Sequence, residues 1–254
     1  MGEYQKSRRL PDGQGGPQHK QGYSIIGYLF LILYNKCMAR KDDFTSRRLE
    51  MVERQIKARG ITDAKLLEVL RQVPRHQFVQ SADARCAYMD RPLPIGAGQT
   101  ISQPYIVALM TQELELDGSE KVLEVGTGSG YQAAVLSKLV AEVHTVERKP
   151  DLAKRAKSIL ESLGLTNVFV HIGDGTLGWP EAEPFDRIIT TAAAPKVPQP
   201  LLDQLRTGGK LIIPVGNRWR QILELWKREE NEFLKKEILP VVFVPLVGKE
   251  GWQD

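Results

Sequence analysis

Two cysteines, four histidines and no apolar run of membrane-spanning length in 254 residues remove several classes of function at the outset. Cys37 and Cys86 have no metal-ligand spacing. So sparse a set reads as two reduced thiols of a cytoplasmic protein, with one disulfide between tail and body left open. Nothing in the spacing calls for a metal. The longest apolar stretch, Tyr23 to Tyr34, is 12 residues, whereas a membrane-crossing helix needs about 20. That length would serve a signal-peptide apolar region, but Asn35-Lys36-Cys37-Met38-Ala39-Arg40 offers no small-x-small cleavage site. A lysine also stands where a lipoprotein signal requires a small residue.

A basic body is lacking too. Residues 1–60 hold 12 Lys/Arg against 6 Asp/Glu, and the remaining 194 hold 23 against 25. The overall pI of about 9.0 therefore arises in the N-terminal segment. The body has no electrostatic means of gripping phosphates, so nucleic acid is not an expected partner. Gly2 to Gly22 is rich in Gly, Gln, Lys and Arg without apolar period and reads as disordered. Residues 1–45 form an extension for which three readings stand: upstream of the true start, with Met38 as an ordinary initiator; membrane-associating or targeting; or packed on the body. Residues 46–254 form the one domain that this length can support.

What is present in that domain is regular. Leu49, Val52 and Ile56 recur at helical spacing before Gly60, and Leu66, Leu67 and Leu70 mark a second helix ending before Pro74. From residue 121 strands and helices alternate. Strands are expected at 121–125, 142–147, 168–172, 186–191 and 210–215, with helices at 131–139, 151–163 and 200–205. Two further strands, 221–228 and 233–244, come without an intervening helix. The expected fold is α/β: a Rossmann-like, doubly wound, mostly parallel sheet in three layers, α/β/α, closed by an antiparallel pair.

The chemistry starts at Glu124-Val125-Gly126-Thr127-Gly128-Ser129-Gly130, which leaves a strand and enters a helix. Glycines there permit a tight turn and close approach of a ligand. The spacing G-x-G-x-G differs from the dinucleotide fingerprint, and a carboxylate stands two residues before the first glycine. A helix N-terminus favours anions, so Glu124 suits a ligand that also carries positive charge. S-adenosylmethionine, with an ammonium and a sulfonium, meets that description. Glu147 ends the next strand, where an acidic residue accepts ribose hydroxyls. Gly173-Asp174-Gly175 follows the third strand, where Asp174 can accept from the adenine amine; the competing reading is a plain Asp-Gly turn. After the fourth strand, Thr190-Thr191-Ala192-Ala193-Ala194-Pro195 holds no acid, base or thiol. A rim so bland suits an acceptor that is already anionic, such as a carboxylate.

Residues 46–252 resemble the protein-L-isoaspartate O-methyltransferases. The motifs that carry the likeness are Thr100-Ile101-Ser102-Gln103-Pro104-Tyr105, the glycine turn, Gly173-Asp174-Gly175, Ala192-Ala193-Ala194-Pro195, Leu205 to Leu211, Pro214-Val215-Gly216 and Val244-Pro245-Leu246. The resemblance implies that Ser102 is the active residue beside the transferring methyl. It places Ile101, Gln103 and Val244 on the peptide, and S-adenosylmethionine against Thr100, Glu124, Gly126, Thr127, Gly128, Gly130, Glu147, Asp174 and Gly175. The implied partners are age-damaged proteins and peptides bearing L-isoaspartyl residues, with no membrane for the core domain and a monomer favoured. Read from the residues alone, Ser102 has a rival role as helix N-cap ahead of Gln103-Pro104, and His76 is expected to be structural. Two other functions remain open on the sequence. One is an O-methyltransferase for a small-molecule carboxyl or hydroxyl; the other is a non-catalytic S-adenosylmethionine-binding module.

Overall fold

The computed structural model describes residues 43–253. The apolar run Tyr23 to Tyr34, Cys37 and the alternative start at Met38 lie outside them. At the front of the described chain, the Asp43 carboxylate accepts the amides of Thr45 and Ser46, each at 3.1 Å, and so caps Phe44–Glu50 (α1). The helix then widens into a π-wound turn over Met51–Ile56 and ends on Gly60 at φ 93°. The widening corrects the expected apolar face. Met51, Val52 and Ile56 are fully buried, but Leu49 is 41% exposed, because a π turn takes more residues per revolution and rotates the face away from Leu49. Ala64–Gln72 (α2) follows, capped by Asp63, and Val73 ahead of Pro74 is already extended.

Leu93–Gly96 (β1) and Gln99–Ile101 (β2) then make a small antiparallel hairpin that leads into Pro104–Glu113 (α3). Strands buried on both faces must be apolar nearly throughout. Lys121–Val125 (β3) and Phe185–Thr190 (β6) carry the apolar pairs Val122-Leu123 and Ile188-Ile189, whereas Glu142–Glu147 (β4) is buried from Val143 onward although His144, Thr145 and Glu147 are polar. Tyr131–Ser137 (α4) and Pro150–Ser162 (α5) follow β3 and β4, and Val168–Ile172 (β5) lies beyond them. Gln199–Asp203 (α6) connects β6 to Leu205–Gly216 (β7), and Gln221–Arg228 (β8) and Phe233–Val241 (β9) complete the sheet.

The seven strands run in the order β5-β4-β3-β6-β7-β8-β9. The first five pair in parallel, and β7-β8 and β8-β9 are antiparallel. Right-handed crossovers from β3 outward to β5 set α4 and α5 on one face. The chain then returns to the other side of β3 to lay down β6, and the same rule puts α6 on the opposite face. The strand order thus reverses between β3 and β6, and the crevice beyond the ends of those two strands is where an open α/β sheet takes ligands. The core lies along the same strands, with Leu123, Val125, Ile188, Leu205, Leu211 and Ile213 among its buried members.

Candidate active site

The end of β3 is tied to the strands on both sides of it. Gly126, at φ 98°, donates its amide to the Val146 carbonyl at 2.9 Å. The Thr191 amide reaches the Val125 carbonyl at 2.9 Å, and the Thr191 hydroxyl reaches the Gly126 carbonyl at 2.5 Å. A Cβ on Gly126 would stand 2.5 Å from that hydroxyl, so the turn admits only glycine there. Gly130 occupies the left-handed N-cap of α4, and a Cβ added to it would stand 3.2 Å from the Ala156 side chain of α5.

Three carboxylates stand at successive strand ends, each in its own state. Glu124 is fully buried, and neither carboxylate oxygen has a hydrogen-bond partner. The nearby Thr145 hydroxyl is instead 2.6 Å from that of Thr127. Burial pushes the Glu124 pKa up to about 8, Thr145 opposes the rise, and the Glu147 charge adds to it. Glu147 is satisfied by backbone: Oε2 accepts the Gly128 amide at 2.8 Å and Oε1 the Lys149 amide at 2.9 Å. It therefore holds the glycine turn in place. Asp174 accepts the amide and hydroxyl of Thr176 through Oδ1, at 2.9 and 2.7 Å, and the Lys249 amide through Oδ2 at 2.7 Å. Burial works against its charge, but the bonds from Lys249 and Thr176 outweigh it and lower the pKa. Asp174 thereby ties the β5 loop to the segment at 247–251, and Oδ2, with a single donor, keeps a lone pair.

These groups surround three adjoining cavities. One of about 260 Å³ is lined by Gly126, Gly128, Glu147, Gly175, Val244 and neighbours. A second, of about 30 Å³, lies under Thr100, Ile101, Ser102, Glu124, Thr127 and Tyr131. The third, of about 670 Å³, runs from Thr100, Ser102 and Gln103 past Tyr105 to Trp219 and Val242. Thr100 and Thr191 line all three, and Val244 lines both large ones. Of the residues singled out from the sequence, only Gly130 and Asp174 line none of them.

Ser102 is not a helix cap. The N-cap position of α3 belongs to Gln103. Asp90 does the capping work from a distance, accepting the Tyr105 amide at 3.3 Å and Gln103 Nε2 at 2.7 Å. The Ser102 hydroxyl is left free to face the cavities. His76 takes the structural role expected of it, stacked on Phe44 at 4.0 Å and 2.7 Å from the Tyr88 hydroxyl. His144 and His171 stack on each other, and no described histidine lines the three cavities.

Sequence reasoning missed Thr191, which it treated as part of a bland rim; its position just past a strand end was the available signal. It also missed Arg59, Trp219 and Arg220 on the large cleft. Arg59 comes from the turn before Gly60 and the other two from the loop between β7 and β8, and nothing local to either announces the cleft.

Comparison with known proteins gives one answer. Residues 46–251 match the family model described as Protein-L-isoaspartate(D-aspartate) O-methyltransferase (PCMT). Protein-L-isoaspartate O-methyltransferase 1 of Syntrophobacter fumaroxidans is 55% identical over 211 residues, covering 83% of this chain and 99% of its own. The Geobacter metallireducens enzyme of the same name is 54% identical over 211 residues, with coverages of 83% and 98%. A solved protein-L-isoaspartate O-methyltransferase superposes with a TM-score of 0.74 at 31% identity, over 80% of this chain and 67% of that one. A Plasmodium falciparum structure, described as a complex with S-adenosyl-L-homocysteine, gives 0.68 at 27% identity over 78% and 96%. The chain belongs to the protein-L-isoaspartate(D-aspartate) O-methyltransferase family.

Proposed function

We propose that this protein transfers a methyl group from S-adenosylmethionine to the α-carboxyl of L-isoaspartyl residues in damaged proteins and peptides, the step that opens their repair. One observation carries the reading: the Glu124 carboxylate is buried without a partner beside a small cavity that opens between a cofactor-sized cleft and a longer, open one. A buried carboxylate so placed needs a cation, and the ammonium of the cofactor's methionine part supplies one. The residues therefore fit the cofactor.

Glu124, Thr127 and the Gly126–Gly128 turn hold the methionine end, with Thr100 above it. Glu147 keeps lone pairs free for the ribose hydroxyls after accepting one amide per oxygen. Gly175 backs the adenine, and Asp174 serves it by fixing Thr176 and Lys249. When bound, S-adenosylmethionine supplies a methyl group that an anionic oxygen can accept with no proton removed. The chain's own task is then alignment. Ile101, Gln103 and Val244 receive the peptide along the large cleft, and the Ser102 hydroxyl orients the acceptor carboxylate where the cavities meet. No base is required, in keeping with cavities that no described histidine lines.

We take the enzyme to act as a monomer. Among the described residues no helix is long and apolar enough to cross a membrane. We place the enzyme in the cytoplasm, acting on proteins and peptides and not on nucleic acid. The test is methyl incorporation from labelled S-adenosylmethionine into an isoaspartyl peptide and into its aspartyl twin. A base-labile ester on the first alone is expected. Equal labelling of both, or of neither with a small carboxylic acid labelled instead, would reject the proposal.

A further inference from the structure

Arg75 opens a single helical turn, Arg75–Phe78, and is completely buried. A guanidinium taken out of water is costly unless a carboxylate accompanies it, and none among the described residues does. The charge nearest to hand, Asp90, is committed to Arg59 at 2.6 Å, to Gln103 Nε2 at 2.7 Å and to the Tyr105 amide at 3.3 Å. Arg75 spends its donors on main chain: Nε donates to the Ala87 carbonyl at 2.7 Å and Nη2 to the Ser102 carbonyl at 2.7 Å, while Nη1 has no partner. The Tyr131 ring lies 4.8 Å from its Cζ. Burial lowers its pKa to about 10, so it stays charged at neutral pH. A fold that needed only to fill this space would do better with an apolar side chain. What the guanidinium provides is a rigid fork joining two carbonyls, which a lysine ammonium cannot span with the same geometry.

The carbonyls it joins explain the outlay. Ala87 belongs to a buried segment, and Ser102 belongs to the loop that leaves β2 for α3. The Ser102 hydroxyl makes no hydrogen bond of its own within the described residues, so the backbone, which fixes the Cβ, is what limits where it can stand. Asp90 grips that loop one residue further on. We propose that Arg75 is a positioning residue for methyl transfer: by clamping the Ser102 carbonyl to that of Ala87, it holds the Ser102 hydroxyl where the acceptor and cofactor cavities meet. The inference rests on the reading of Ser102 as the residue that orients the acceptor.

The full chain carrying R75K, R75M or S102A separates the two. Turnover and KM on an isoaspartyl peptide, S-adenosylhomocysteine affinity and the melting temperature are measured for each. R75K keeps the charge and loses the fork. Its kcat should fall at least about tenfold, since misplacing a reacting group by about 1 Å costs about a hundredfold. Its KM and cofactor affinity should stay within about threefold, and R75M should lose more turnover than R75K. A folded R75K with parental kcat beside an impaired S102A would overturn the clamp and leave the reading of Ser102 standing. Parental kcat in S102A as well would remove that reading, and the clamp with it. Failure of both Arg75 variants to fold, even with S-adenosylhomocysteine present, would make the arginine a determinant of the fold and would also overturn the proposal.

Discussion

Glu124 makes the affinity for the cofactor depend on pH. With its pKa at about 8 in the empty site, against about 4.3 in an unfolded chain, the folded protein carries a proton that the unfolded chain lacks between those two values. The empty enzyme therefore loses stability as pH rises through that window. Cofactor binding reverses the preference, because an ammonium beside the carboxylate favours the ionised form. About one tenth of Glu124 is ionised at pH 7 and about one hundredth at pH 6, so the apparent dissociation constant should fall about tenfold between them. At pH 7 each binding event should release close to one proton. Titration calorimetry with S-adenosylhomocysteine from pH 6 to 7.5, in two buffers of different ionisation enthalpy, reads both quantities. Glu124→Gln should abolish the proton release and the slope, and weaken binding at pH 7.5. Wild-type affinity that is level over this range, with no proton released, would refute the pairing of Glu124 with the ammonium.

The remaining expectations concern Glu147, Ser102 and the chemical step. Glu147→Ala should weaken S-adenosylhomocysteine binding by about 10- to 150-fold, the loss of about 1.5–3 kcal/mol of hydrogen bonding to a charged acceptor. It should also lower the melting temperature, because the Gly128 and Lys149 amides lose their acceptor; calorimetry and a thermal melt check both. Ser102→Ala should lower turnover more than cofactor affinity and leave the melt nearly unchanged, since Ser102 caps no helix; steady-state kinetics and a melt decide it. The single-turnover rate at saturating cofactor and peptide should be nearly level from about pH 6 to 8, because an α-type carboxylate, with a pKa of about 3.3–3.7, is already the nucleophile. A rapid-quench series showing a tenfold rise per pH unit would mean that a base must act first.

How much of this was legible in the sequence follows from which forces are local. The parallel strands were readable because burial on both faces leaves apolar runs such as Val122-Leu123 and Ile188-Ile189, and most of their bounds held to within a residue or two. β7 was read too short at its start, because Arg206 to Gly209 look like a loop, although Leu205 already pairs with Phe185. The β1-β2 hairpin has strands of four and three residues, too few for alternation to show. The π turn at Met51–Ile56 is invisible to a search that assumes one helical period. In the site, the glycine turn and Glu147 could be placed because a strand end fixes them. The engagement of Asp174 with Lys249 could not, since it joins positions far apart in the chain, and neither residue's neighbours hint at the other.

That same bond gives the active site an order of assembly in time. The turn at Gly126 and the ends of β3 and β4 leave the ribosome early, but Val244 lines both large clefts, and Asp174 anchors the segment a few residues beyond it through Lys249. Domains generally fold as units, and a nascent chain that stops short of Val244 lacks a residue common to both clefts. Both clefts are complete only once residues 244–249 have been added.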